Sequence, residues 1–507
     1  MVVGLLVGTT TTGASAEPRP TEAVGPWSFD ASDVIAHLDA ADASIRVHYS
    51  TEGPNRAALA DDDGDGTPDF VAQVLAVAIE SHDHFVDTLG FRPPVAEAAL
   101  GPGPGAALGG SPGFDVYLVD FGGAADGRFG VDGCTAAPEH CAGFLVVEND
   151  FAGYGYASLQ EAADTVVVHE MFHAIQAAYT PLPVWASEGG AVWAQRQFSG
   201  DSRDFLRFCD ALLADHERSL HRPPLGPVPG FAYGSALWWD FVGAHVDDGV
   251  MIDLLEAGEQ RPDDVERLEE VMVDVLADAG VAIEDAWTAF VQANLATGSR
   301  AGAAGGHMFA AELAGIEPDA AGSQIDVDAR LYPLAASYWR IDHGGGALHF
   351  ATDAALADVR FSLHAAAGPD GPVEAAHASW VAEGDRVALG ELPEGTYWIV
   401  ATLPQLAEMS ARARVCIGGD DVEQCLAPPD DPTGTTGEPS GADTVGETAT
   451  ATDADESGES SGSETTTAET AAADDAADGC GCATVGRPPV WLAFALPIGR
   501  RRRRSPR

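Results

Sequence analysis

The sequence predicts an α+β domain followed by an all-β domain. Three observations carry this. Over 28–320 a few strand-like runs come first and many helical periodicities follow, a segregation that argues α+β. Over 330–425 short alternating runs recur between turn residues, which suggests a sandwich-like β domain. Over 427–479 the chain has 14 acidic residues and no basic or aromatic one. Such a spacer buries too little apolar surface to offset its chain entropy and is expected to be disordered.

The elements follow in order. Phe70 to Phe85 reads as a helix. Phe114–Asp120 and Gly143–Glu148 read as strands. Residues 158–179 read as a long helix, with Ser158 and Glu161 as a capping box and Thr180-Pro181 as its stop. Further helical patterns lie at 187–198, 202–216, 233–246, 263–278 and 283–296. In the second domain, strands are expected at Ser337–Ile341, Leu348–Phe350, Val359–Leu363 and Gly395–Val400. Leu392-Pro393-Glu394 reads as a turn before the last of these.

The chain has 507 residues and a net charge of −53, and all its basic residues are Arg. That balance argues against nucleic acid as a partner, because phosphate neutralisation needs a positive field. Residues 1–16 combine a short apolar run with Ala14-Ser15-Ala16, the pattern of a secretory signal, although its positive start is missing. Of seven Cys, Cys134 with Cys141 and Cys416 with Cys425 have spacings that suit short-loop disulfides in an oxidising compartment. Cys209 sits in an apolar pattern and reads as a buried small hydrophobe. The C-terminal stretch 480–507 holds Cys480 and Cys482, then an apolar run too short and too interrupted for a permanent transmembrane helix, then five consecutive Arg.

The chemistry-bearing motif is His169-Glu170-Met171-Phe172-His173. Two His at i and i+4 share one helical face and can reach one zinc ion. Glu170 lies about 100° round the helix, where it can act on a water rather than ligate. A third ligand is required. Gln176 and Tyr179 occupy the positions where one class of such motifs continues with Gly and His. Downstream, Glu188 enters a second helix after a Pro-bounded turn and is the candidate ligand. The alternative for Glu188 is a helix-start carboxylate favoured by the dipole. Tyr233, in a glycine-flanked block, is a candidate donor to the reacting oxygen, with His216 and His221 behind it. The alternative for Tyr233 is packing beside Trp238 and Trp239.

A second ion is expected at 61–72. Asp61, Asp63, Asp65, the Thr67 carbonyl and Asp69 match the start of an EF-hand loop. Position twelve is Ala72, so the usual bidentate Glu is absent. Calcium there would be structural. The alternative is an acidic surface turn.

These blocks resemble a group of secreted gluzincin-type metallopeptidases of myxobacteria and related bacteria. Asp61-x-Asp63-x-Asp65-Gly66-x-Pro68-Asp69-Phe70, Phe114-Asp115-Val116-Tyr117, the His169 motif, Trp185-x-x-Glu188-Gly189-x-Ala191-x-Trp193 and Tyr233-Gly234-x-x-Leu237-Trp238 occur in that order. The resemblance covers about 45–300 and implies a zincin-like fold and a zinc endopeptidase acting on protein or peptide substrates. Residues 480–507 look like a myxobacterial C-terminal sorting signal, which implies processing machinery acting at Cys480 and Cys482 and retention at the cell surface. Two departures stand out. The gap from His173 to Glu188 is short, and Val192 replaces an acidic partner found in some relatives. A competing expectation is a surface binding protein on an inactive scaffold, and a third is a zinc hydrolase for another bond.

Overall fold

The computed structural model describes residues 16–426, apart from 23–26, 102–107, 137–138, 201–202, 223–229, 262–267, 303–305, 383–385 and 407–409. Most of the expected signal segment, the acidic spacer at 427–479 and the tail at 480–507 therefore lie outside the described residues.

The N-terminal body is built on a mixed five-stranded sheet. Strand β1 (Ile35–Asp39) and β2 (Ile45–Ser50) form a hairpin. Strand β3 (Phe114–Val119) runs parallel to β2, and β5 (Cys141–Glu148) runs parallel to β3. Strand β4 (Gly127–Cys134) pairs antiparallel with β5, giving the order β1-β2-β3-β5-β4 with β4 at one edge. Alternation sends Val116, Leu118, Leu145 and Val147 to one face, where they join the core of helices α1 (Asp69–Asp83) and α2 (Leu159–Gln176). Tyr117, Val119, Phe144 and Val146 point the other way and are covered by Trp27 and Phe29. Strands β1, β2 and β4 had no clear signal in the sequence. Three of the eight β4 residues are glycine, which weakens any strand pattern.

Helix α2 starts as its cap predicts. The Ser158 hydroxyl accepts from the Glu161 amide at 3.0 Å. The Glu161 carboxylate reaches back to the amide of Ala157, one residue earlier than a capping box requires. Helix α3 (Val184–Phe198) follows, then α4 (Arg203–Ala214). The helix expected over 233–246 is two pieces, α5 (Gly230–Gly234) and α6 (Ala236–His245). Between them the Ser235 hydroxyl donates to the Trp185 carbonyl, tying the break to α3. Helices α7 (Val250–Glu259), α8 (Leu268–Asp278) and α9 (Ile283–Leu295) complete the set, α7 unforeseen.

The C-terminal strands are β6 (Ala320–Gly322), β7 (Ile325–Leu331), β8 (Ala336–Thr352), β9 (Leu356–Ala366), β10 (Val373–Ala382), β11 (Val387–Thr402) and β12 (Ala411–Gly418). They form one hydrogen-bonded seven-stranded sheet rather than two facing sheets. The strands expected at 337–341 and 348–350 are one strand, β8. The turn expected at 392–394 lies inside β11, because Leu392 and Glu394 stay paired with Gly346 and Gly344 of β8. One face of this sheet has its own core around Trp339, Ile341, Phe361 and Ile399. The other face, through Tyr338, Trp398 and Val400, shares the core of the helical body. Trp287 of α9 donates to Thr402 at 3.0 Å, and Tyr338 donates to the Val291 carbonyl at 2.9 Å. Among the described residues no helix is long and apolar enough to cross a membrane.

Candidate metal centre

Helices α2 and α3 bring the three expected ligands together. His169 and His173 stand one turn apart on α2, with their Nε2 atoms 3.1 Å from each other. Glu188 lies in the second turn of α3, and its Oε2 is 3.3 Å from His169 Nε2 and 3.5 Å from His173 Nε2. One ligand atom from each of the three lies within 4.8 Å of the others. Glu188 is 2% exposed, so it is no solvated carboxylate at a helix start.

The close approach of the helices is written into the motif after Glu188. A Cβ on Gly189 would sit 1.8 Å from Ser235 Oγ, and one on Gly190 would sit 2.8 Å from Gln176 Nε2. Glycine at 189 lets α3 lie this near to the Ser235 break, and glycine at 190 leaves the Gln176 amide its place.

Both imidazoles are held from behind. His173 Nδ1 is 2.8 Å from Gln176 Oε1, and Gln176 is itself fixed by donating to the Ser187 carbonyl at 3.0 Å. A proton on His173 Nδ1 therefore leaves Nε2 as a free donor of its lone pair. His169 Nδ1 meets the amide of Gln195 at 3.1 Å. Turning that amide by 180° presents its oxygen to an Nδ1 proton. These are the orienting groups that the sequence did not reveal. Gln176 is three residues after His173, and Gln195 is seven after Glu188, so helical spacing was the available signal.

The electrostatics fit a cation. Burial opposes charge on His173, but the Glu188 carboxylate overrides it and holds the imidazole up at about 9. Burial by itself would raise Glu188, yet the two imidazoles bring it down to about 2. The site thus draws positive charge between its three ligand atoms. Glu170 is buried, and burial raises its pKa against the opposing charge of His169 and His173. Among the described residues its Oε2 has no hydrogen-bond partner. The Tyr233 hydroxyl is likewise buried; it faces the Glu188 carboxylate but has no partner at hydrogen-bond geometry among the described residues. Its ring centroid lies 6.0 Å from that of His169, and burial with the charges of Glu188 and Glu170 raises its pKa. Two imidazoles and one carboxylate form a donor set that fits a divalent metal ion such as zinc, with the Glu170 and Tyr233 oxygens beside it rather than in it.

The other candidates fall elsewhere. His216 pairs with Asp319 at 3.0 Å and bonds the Leu213 carbonyl, so it ties α4 to the segment before β6. His221 lies against Arg222. Neither joins the His169 group among the described residues. At the N-terminal loop, carboxylate oxygens of Asp61, Asp63 and Asp69 lie within 4.8 Å of one another. Asp65 stands outside that group and accepts from the Thr67 amide at 2.7 Å. The loop is shaped by Asp61, which accepts from the amides of Gly64 and Gly66.

Cys134 is bonded to Cys141 across the β4–β5 turn, and Cys416 to Cys425. Cys209 is a buried free thiol, and burial pushes its pKa well up. No protein-family model matches the chain, and no curated protein matches it.

Proposed function

We propose that this protein is a zinc-dependent endopeptidase with a zincin-like catalytic body. The observation that carries the proposal is the meeting of His169, His173 and Glu188 within ligand distance, beside an unpartnered Glu170 oxygen. Zinc held by these three side chains would supply Lewis acidity towards the scissile carbonyl and acidify water. Glu170, whose buried carboxylate is a stronger base than an exposed one, accepts the proton of the attacking water. It then returns that proton to the leaving amine. Tyr233 donates its hydroxyl proton in a hydrogen bond to the oxygen on which charge develops. Gln176 and Gln195 fix the imidazole tautomers throughout.

The same proposal places the protein outside the cytoplasm. The signal-like start, the two disulfides and the sorting-type tail with Cys480 and Cys482 support export and retention at the cell surface. Calcium is assigned to the Asp61–Asp69 loop on its EF-hand spacing. Its removal should lower the melting temperature without releasing zinc.

The deciding experiment compares wild type with Glu170→Gln on a mixed peptide library. Loss of cleavage by a factor of about 10²–10⁴ with zinc retained is expected. Equal cleavage by both forms would sink the assignment of Glu170. Zinc binding without cleavage in either form would favour a surface binding protein.

A further inference from the structure

The chain itself occupies part of the free edge of β4. Among the described residues that strand pairs with another strand on one side only. On its open side the Glu17 amide donates to the Val131 carbonyl at 2.7 Å. The Glu17 carboxylate pairs with the Arg128 guanidinium, which also lies 5.3 Å from the ring centroid of Trp27. Two residues on, Arg19 fixes the segment. Arg19 is 1% exposed and bonded to Glu97, Asp115 and Asp132. Pulling it out would leave three buried carboxylates without their cation, so this anchor is firm.

The other end of the same edge belongs to the metal centre. A Cβ on Gly127 would lie 3.1 Å from Glu170 Oε1, so the β4 backbone there runs against the proposed base. Backbone groups of every second residue face the same side of a strand. Val131 faces the open edge, and so do Phe129 and Gly127. Between Glu170 and Glu17 the edge is about 13 Å long, four residues of strand rise.

We propose that Glu17, anchored by Arg19, is a stop that limits how much peptide can lie along β4. A peptide adds to the edge at Gly127 and Phe129 by strand pairing. It has room for no more than about four residues on that side of the scissile bond. Preferred cuts therefore lie in short peptides or within about four residues of a chain end, and longer chains are cut more slowly. This deepens the peptidase reading and rests on it. A longer chain meets the wall of Glu17, Arg128 and Trp27 and must leave the edge, giving up strand hydrogen bonds.

The test uses the zinc-loaded chain, a form starting at Pro18 and the variant Glu17→Arg. Both altered forms keep Arg19 in its cage. Peptides are lengthened one residue at a time from each end, and kcat/KM is measured. With Glu17 in place, kcat/KM should fall about tenfold once one end passes the limit, roughly the worth of the lost strand bonds. In the form starting at Pro18 the fall should vanish, and in Glu17→Arg, which keeps the backbone bond to Val131 but loses the pair with Arg128, it should shrink, while short peptides react as before. An identical length profile in all three forms overturns the stop. If no form hydrolyses any peptide, the peptidase reading fails by itself. Calorimetric binding of the same series to Glu170→Gln versions then decides. A length limit seen only with Glu17 in place supports the stop, and its absence, or no binding at all, overturns it.

Discussion

Gly127 of β4 lies so close to Glu170 of α2 that a methyl group at 127 would sit 3.1 Å from the carboxylate oxygen Oε1. The same methyl would stand 2.5 Å from Val166 Cγ1. Strand and helix are therefore pressed together at the candidate base. Gly127→Ala should push α2 and β4 apart and displace Glu170. The expected result is a loss of activity of at least about tenfold, with an overpacking cost of about 1–3 kcal/mol. Zinc content should stay at one ion per chain, because the ligands face α3. Activity equal to wild type would show that the edge strand and the base are not coupled.

The two glutamines behind the imidazoles give a second prediction. Gln176→Leu and Gln195→Leu each keep volume but remove the acceptor for an Nδ1 proton. Each should weaken zinc affinity by about 10–100-fold, the usual cost of removing such a partner. Competition against a chromogenic chelator measures this directly. Glu170→Gln, which touches no ligand nitrogen, serves as the control with unchanged affinity.

Much of the centre was legible because it is local. His169 and His173 share a helix whose start is set by Ser158, and the spacing alone puts both on one face. Glu188 also reads locally, since it follows a Pro-bounded turn at the start of the next helix, whereas the close approach at Gly189 came from the structure. Strands β2 and β3 pair across more than sixty residues, and only the Phe114 run had a clear pattern. Strand β4 hid behind its glycines. The role of Arg19 had no sequence signal, because Asp132 lies 113 residues away. In the C-terminal sheet, Gly344–Gly346 and Pro393 look like turns, yet pairing between β8 and β11 carries the strands through them. Long-range pairing overrode local propensity there.

Tyr233 can be separated from a packing residue by stability and rate together. Its ring stacks on Phe208 with centroids 4.6 Å apart, and its buried hydroxyl faces Glu188 with no partner at hydrogen-bond geometry among the described residues. Tyr233→Phe keeps the stacking and removes only the unsatisfied oxygen. Such a deletion should leave the melting temperature unchanged or raise it. The rate should nevertheless drop by about 10²–10³ in kcat, with KM preserved, if the hydroxyl serves the developing oxyanion. A purely structural ring would leave kcat where it is.

The Arg19 cage makes stability depend on pH through Glu97. One guanidinium faces Glu97, Asp115 and Asp132, and the His48 imidazole meets Asp115 at 2.8 Å, so the cluster holds a single permanent cation for three carboxylates. Burial raises Glu97 to about 7 from its ordinary 4.5, although Arg19 and the Leu108 amide pull the other way. The ion pair and the raised value are compatible, because Glu97 is the member of the cage that takes up a proton. A carboxyl whose pKa is raised on folding favours the folded state while it is protonated. Its contribution is complete below about 4.5 and is lost as pH climbs through about 7. Melting temperature should therefore fall between those values beyond what the other groups cause. Glu97→Gln, a permanently neutral isostere, should flatten that part of the curve and be the more stable form at pH 8. A wild-type curve that rises over this window, or a variant with the same slope, would show that Glu97 stays ionised in its cage.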